Sequence, residues 1–292
     1  MSGLNDSDWL DAQYNNRARV ADSGEILARW AQRSQVVRAE TPCQFDLRYG
    51  AGDGETLDVF PASTAAAAPS SAAGAPVLVF IHGGWWRALD KSDHSFIAPA
   101  FNAAGAIVAI PNYALCPAVS IEHIALQMTR ALAWVWRHAS SFGGDPARIV
   151  VAGHSAGGHL ATMLLSCRWP EVAPDLPPGL VSRALAVSGV FDLKPLMRTP
   201  FLQADLRLTS DAVRRLSPSR YPAPAGVLNA VAGGDESEEF LRHIRLIRKA
   251  WGGGVVRVCE TVPGANHFSV LDHLADPTSP LHARALALLD LR

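Results

Sequence analysis

A chain of 292 residues with 26 Lys and Arg against 27 Asp and Glu has a formal net charge of −1, and 49% of it is hydrophobic. That apolar content excludes a disordered chain, and without a basic excess there is little to neutralise phosphates, so nucleic acid is not the expected partner. No apolar run approaches the roughly 18 residues of a membrane span, and the opening MSGLNDSDWLD lacks the basic and apolar regions of a secretory signal. Cys43, Cys116, Cys167 and Cys259 are widely separated, with no C-x-x-C pair. Neither a disulfide framework nor zinc-ligand spacing is expected, and a reducing cytoplasmic location fits them.

Residues 6–38 have helical spacing, with Ser7 and Ser23 ahead of the helical runs. Residues 44–49 alternate like a half-buried strand, and residues 56–60 follow a Gly-Asp-Gly turn, so the two read as a hairpin. The Ala-, Ser- and Pro-rich stretch 61–76 reads as a surface connection. Next, short apolar runs alternate with helical segments. Strands are expected at 77–81, 106–110, 148–152, 184–188, 227–232 and 255–260. Helices are expected at 93–104, 121–138, 156–167 and 238–250, with another closing the chain. This is the pattern of an α/β protein: an eight-stranded, mostly parallel sheet with helices on both faces. Such sheets bind ligands at the carboxyl ends of their strands.

Three strand ends carry chemistry. The fifth strand runs into Gly153-His154-Ser155-Ala156-Gly157, a G-x-S-x-G that chance alone supplies in about a tenth of chains this long. Here it lies between an apolar strand and a helical run, where a sharp turn needs small neighbours and exposes the serine hydroxyl. Ser155 is therefore the expected nucleophile. The third strand runs into His82-Gly83-Gly84-Trp85. Paired glycines let backbone amides face a ligand, so the amides of Gly84 and Ala156, with Gly83 or Trp85 assisting, are expected to bind an oxyanion. His82 is expected to brace that loop. In hydrolases built on this elbow, the acid and then the base follow the serine in chain order. His267, in the Gly- and Pro-containing loop after the last strand, is the expected base. His243, His273 and His282 read as solvated, and His154 and His159 as facing elsewhere. The acid should follow the seventh strand, where Asp235 and Glu236 both qualify by position. No metal site is expected, because His154 and His159 have no nearby carboxylate.

With these residues the chain resembles the α/β-hydrolase superfamily, and within it the arylformamidase (kynurenine formamidase) branch. The resemblance rests on His82-Gly83-Gly84-Trp85-Trp86, on Gly153-His154-Ser155-Ala156-Gly157-Gly158-His159-Leu160, on Glu239-Phe240 and on Tyr14-Asn15-Asn16. In that branch the acid precedes a Ser-Pro-x-Phe-like segment. Counting back from Phe240, the resemblance favours Glu236 over Asp235. Two departures are Trp85, where the branch often has Tyr, and Asn266, where it commonly has a second His.

The resemblance implies a serine hydrolase that cleaves N-formyl-L-kynurenine to L-kynurenine and formate. A carboxylesterase acting on short-chain or aromatic esters is the alternative, because the same triad serves both. No metal or organic cofactor is required. The expected partner is a small aromatic formamide or ester, with no nucleic acid and no membrane, and at most a second copy of the chain in a homodimer. An aniline leaving group needs an aromatic slot, for which Trp85, Trp86 and Tyr113 are the candidates, with Phe191 nearby. Residues 1–40 are expected as an N-terminal helical segment packing over the site, residues 41–292 as the hydrolase domain, and residues 189–226 within it as a lid.

Overall fold

The computed structural model describes residues 4, 6–52, 54–63 and 74–292. Most of the connection read at 61–76 lies outside the described residues, as does Asp53 of the hairpin turn. Eight strands form one sheet: β1 (Gln44–Arg48), β2 (Thr56–Phe60), β3 (Ala75–Ile81), β4 (Ile107–Pro111), β5 (Gly144–His154), β6 (Arg183–Val187), β7 (Val227–Gly233) and β8 (Val256–Val262). Their order is β1-β2-β4-β3-β5-β6-β7-β8. The pairs β1–β2 and β2–β4 are antiparallel, and every pair from β4 to β8 is parallel. This is the α/β-hydrolase fold. β1 is mostly exposed, so the alternation at 44–49 belongs to an edge strand and not to a half-buried one. Its Phe45 stays at the surface, beneath the Arg38 guanidinium.

Alternate residues of the central strands feed two separate cores. Val77, Val79 and Ile81 of β3 point into one, and Leu78 and Phe80 into the other. The first core is closed by α5 (Ile121–His138), α6 (Ala156–Leu165) and α10 (Glu238–Val255), through residues such as Ile124, Met128, Leu160 and Ile247. The second is closed by α3 (Ser23–Glu40), α4 (Ala98–Ala103), α11 (Val270–Ala275) and α12 (Pro280–Leu288), through Trp30, Phe101, Leu274 and Leu281. Helices therefore cover both faces.

Boundaries differ from the sequence reading for local reasons. The first helical stretch is α1 (Ser7–Tyr14), α2 (Asn16–Arg19) and α3, and the N-caps are Asp6 and Asp22 rather than the serines that follow them. Asp6 accepts from the amides of Asp8 and Trp9. The helix expected at 93–104 is a 3₁₀ stretch, Lys91–Ile97, followed by α4. Pro99 lacks the N–H that would continue one α-helix through this point. No helix among the described residues is long and apolar enough to cross a membrane.

Candidate active site

Ser155 occupies the turn between β5 and α6 with φ 55° and ψ −116°, a strained conformation for a residue with a side chain. Two glycines make the turn possible. A Cβ on Gly153 would stand 2.2 Å from the Gly157 carbonyl oxygen, and one on Gly157 would stand 2.0 Å from that of Ile81. The elbow is thus packed backbone to backbone, and the Ser155 amide anchors it by donating to the Val187 carbonyl at 2.8 Å.

The loops after β7 and β8 bring a histidine and a carboxylate together. His267 Nδ1 lies 2.7 Å from Glu236 Oε2. The other carboxylate oxygen accepts from the Ser188 hydroxyl at 2.5 Å and from the Gly233 amide at 2.6 Å. Both side chains are buried. Asp235, the adjacent candidate, is exposed. With Nδ1 committed to Glu236, the His267 nitrogen left for other chemistry is Nε2.

The loop after β3 is braced from behind. Tyr113 Oη donates to the carbonyls of His82 and Gly83 at 2.9 and 3.1 Å, and its ring stacks on His82 at 4.3 Å. His82 Nε2 meets Asn112 Oδ1 at 3.1 Å. Gly84 has φ 102°, and a Cβ there would stand 2.1 Å from the Ala88 carbonyl oxygen. Trp85 and Trp86 follow with φ of 53° and 56°. Gly83 lies against the elbow, where an added Cβ would stand 3.1 Å from Ser155 Cβ. Ala156 opens α6, so its amide is among those without an intrahelical acceptor.

A cavity of about 360 Å³ opens on these groups. Ser155, His267, Gly84 and Trp85 line it together with Asn15, Asn16, Arg17 and Trp30 from the N-terminal helices, and Phe201 and Asp205 from α8 (Pro200–Leu206). Burial holds His82 and His154 below the usual imidazole range, with the neighbouring His267 adding to the effect at His154. Both are therefore neutral at pH 7. No group of three or more His, Cys, Asp or Glu among the described residues could hold a metal.

Comparisons with known proteins agree with this geometry. Residues 66–168 match the BD-FAE family model. Over 251 residues, covering 83% of this chain and 80% of the relative, the sequence is 32% identical to the kynurenine formamidase of Danio rerio. The chain belongs to the kynurenine formamidase family. A crystal structure from Silicibacter sp. TM1040, provisionally assigned as a thioesterase, superposes with a TM-score of 0.80 at 32% identity, covering 94% of this chain and 97% of that one. The esterase LipC of Mycobacterium tuberculosis is 27% identical over 82% of this chain and 63% of its own.

Within this kynurenine formamidase homologue, several expected positions need correction. Tyr113 and Trp86 are buried and do not line the cavity. Tyr113 braces the Gly83-Gly84 loop, and Trp86 packs edge-on against His159 at 5.0 Å. Phe191 is likewise buried and gives its amide to His243 Nδ1. His243 and His282 are buried rather than solvated. His243 Nε2 meets the Tyr14 hydroxyl, and His282 Nδ1 meets the Leu274 carbonyl. His154 does not face away: it lines the cavity and donates from Nε2 to the His267 carbonyl at 2.8 Å. Sequence reasoning missed Ser188 and Asn112, and although it expected residues 1–40 to pack over the site it did not single out Asn16 and Arg17 of α2 as lining residues. For Ser188 the available signal was its position at a strand end, one residue beyond β6. For α2 it was the Tyr14-Asn15-Asn16 match, which carried no chemistry until Tyr14 met Glu239 at 2.6 Å.

Proposed function

We propose that this chain is a serine hydrolase of aryl formamides whose substrate is N-formyl-L-kynurenine, cleaved to L-kynurenine and formate. The observation that carries the reading is the convergence of Ser155, Glu236-bound His267 and the Gly84–Trp85 loop on one cavity, in a chain of the kynurenine formamidase family. Ser155 Oγ attacks the formyl carbon while His267 Nε2 takes its proton. Glu236 orients the imidazole and stabilises the imidazolium. Breakdown of the tetrahedral intermediate expels the aniline nitrogen, which receives that proton from His267. Water then attacks the formyl-enzyme by the same route, releases formate and returns the hydroxyl to Ser155.

The oxyanion is assigned to the amides of Gly84 and Ala156, with Gly83 and Trp85 beside them. Support comes from the brace: Tyr113 takes the Gly83 carbonyl, and the Gly84 N–H, trans to that carbonyl in one planar peptide, points the opposite way. Trp85 supplies the aromatic wall. Residues 1–40 and 189–226 act as the cover, since both contribute lining residues. Four free thiols support a cytoplasmic location.

The alternative is ester hydrolysis, favoured by the LipC likeness. The test is kcat/KM for N-formyl-L-kynurenine beside p-nitrophenyl acetate and butyrate, with and without EDTA. A formamide value above about 10⁴ M⁻¹s⁻¹, unaffected by EDTA, is expected. Good ester turnover with negligible formamide turnover would make the chain an esterase. Ser155→Ala should lower kcat by about 10⁴-fold or more for either substrate; near wild-type turnover would remove Ser155 from the mechanism.

A further inference from the structure

We propose that Arg17 and Asn16 form an anion subsite, and that it takes the carboxylate of an amino acid carried on the aryl leaving group. The inference rests on the formamidase reading and extends it from the reacting bond to the residues that recognise the leaving group. Three of the residues that line the cavity carry donor groups with no acceptor among the described residues. Arg17 is exposed and makes neither an ion pair nor a side-chain hydrogen bond there. Asn16 is 4% exposed, and its buried Nδ2 has no partner. Trp30 Nε1 is buried without one as well. Native chains seldom leave buried donors unpaired unless a ligand or solvent completes them.

The charges of the same wall favour an anion. Its carboxylate, Asp205, is neutralised by Arg87, which also donates to the Phe201 carbonyl. Arg17 is then the uncompensated charge of the lining. Asp22, Asp235 and Glu236 line a second recess together with Arg19, and it shares Asn16 and His267 with the cavity. A guanidinium and an amide N–H on two lining residues suit a carboxylate, whose two oxygens can accept hydrogen bonds from both. The subsite lies in the same cavity as Ser155 and His267. It can therefore engage the substituent of a leaving group while the formyl carbon meets the serine.

The experiment measures kcat/KM for N-formyl-L-kynurenine and for formanilide, which lacks the amino acid, in wild type, Arg17→Gln, Arg17→Lys and Arg17→Glu. The ratio of the two values should fall about tenfold in Arg17→Gln, mainly through KM. It should fall further in Arg17→Glu and recover in part in Arg17→Lys, which keeps the charge without the planar fork. An unchanged ratio in both Gln and Glu variants would overturn the subsite and leave the formamidase reading intact. If wild type cleaves neither formamide, that reading fails separately, and competitive inhibition of p-nitrophenyl acetate hydrolysis decides the subsite. L-kynurenine should then lose about tenfold in Ki on Arg17→Gln while 2-aminoacetophenone does not. Equal changes for the two inhibitors, or no inhibition by L-kynurenine, would overturn it.

Discussion

At Glu236 one carboxylate takes hydrogen bonds from a histidine ring, a serine hydroxyl and a backbone amide. Such a group is anchored in one orientation, and so is the imidazole it holds. Glu236→Gln keeps the volume but presents an amide where His267 Nδ1–H needs an acceptor, so the wrong tautomer becomes available. We expect kcat to fall by about 10³–10⁴-fold, with Asp235→Asn staying within about threefold because Asp235 is exposed. Comparable losses in both variants would reassign the acid. Gly84 makes a second test at this scale. Its positive φ, and an Ala88 carbonyl oxygen 2.1 Å from where a Cβ would stand, leave no room for a side chain. Gly84→Ala should displace the loop and lower kcat by about 10²–10³-fold while circular dichroism keeps the wild-type spectrum. Unchanged turnover would take the Gly84 amide out of the oxyanion site.

Among the elements, α1 is tied to α10 by the Tyr14 hydroxyl and by Gln13, whose Oε1 accepts from the Glu239 amide at 3.3 Å. Tyr14 Oη donates to Glu239 Oε2 at 2.6 Å and lies 3.0 Å from His243 Nε2, and Glu239 is held in turn by Arg242. The Tyr14 ring also packs edge-on against Trp85 and Phe240, each at 5.9 Å. Phe240 in turn stands 4.5 Å from His267. Burial and the Glu239 carboxylate push the Tyr14 phenol well above its ordinary range, so it stays protonated and donates. Tyr14→Phe preserves the ring contacts and removes the bond. It should destabilise the fold by about 1–2 kcal/mol, read as a lower urea midpoint with unchanged m-value. No shift in the midpoint would mean that the Tyr14 hydroxyl adds nothing to the other contacts of the N-terminal helices, among them Asp11 with the Phe201 amide and Arg33 with Asp272.

For the whole molecule, the buried histidines set the response to acid. Burial pushes His94 down to about 3 and His159 to about 4, and lowers His82, His154 and His243 as well. In the unfolded chain each would titrate near about 6.5. Above that pH both states are neutral and nothing is lost. As the pH falls from about 6.5 toward the folded values, the unfolded state binds protons that the native state refuses, so stability declines. Each such histidine contributes up to about 1.4 kcal/mol per pH unit. The urea midpoint should therefore fall between pH 7.5 and 5.0, before most carboxylates protonate, and His159→Gln should flatten that slope. A midpoint independent of pH over this window would mean that these rings are solvated.

How much was legible in the residues follows from the range of the interactions involved. Strand and helix periodicity, the glycines of the elbow at 153 and 157, and the order of Ser155, the acid and His267 are local or ordinal features. They pointed to an α/β sheet with its chemistry at the strand ends, and the eight strands lie close to where the apolar runs placed them. The choice between Asp235 and Glu236 as the partner of His267 depends on which side chain turns inward across a loop, and adjacent residues carry no periodicity to decide it. Tyr113 and Trp86 are aromatic residues near strand ends, and nothing in their neighbourhood along the chain separates bracing the loop from touching a ligand. The wall from Asn15 to Arg17 stands more than a hundred residues from Ser155 in sequence, and only the packing of α1 to α3 over the sheet brings it to the cavity. Short-range patterning thus determined the class of fold and the type of chemistry. Long-range packing, which sets which buried group meets which, decided the partners and the shape of the site.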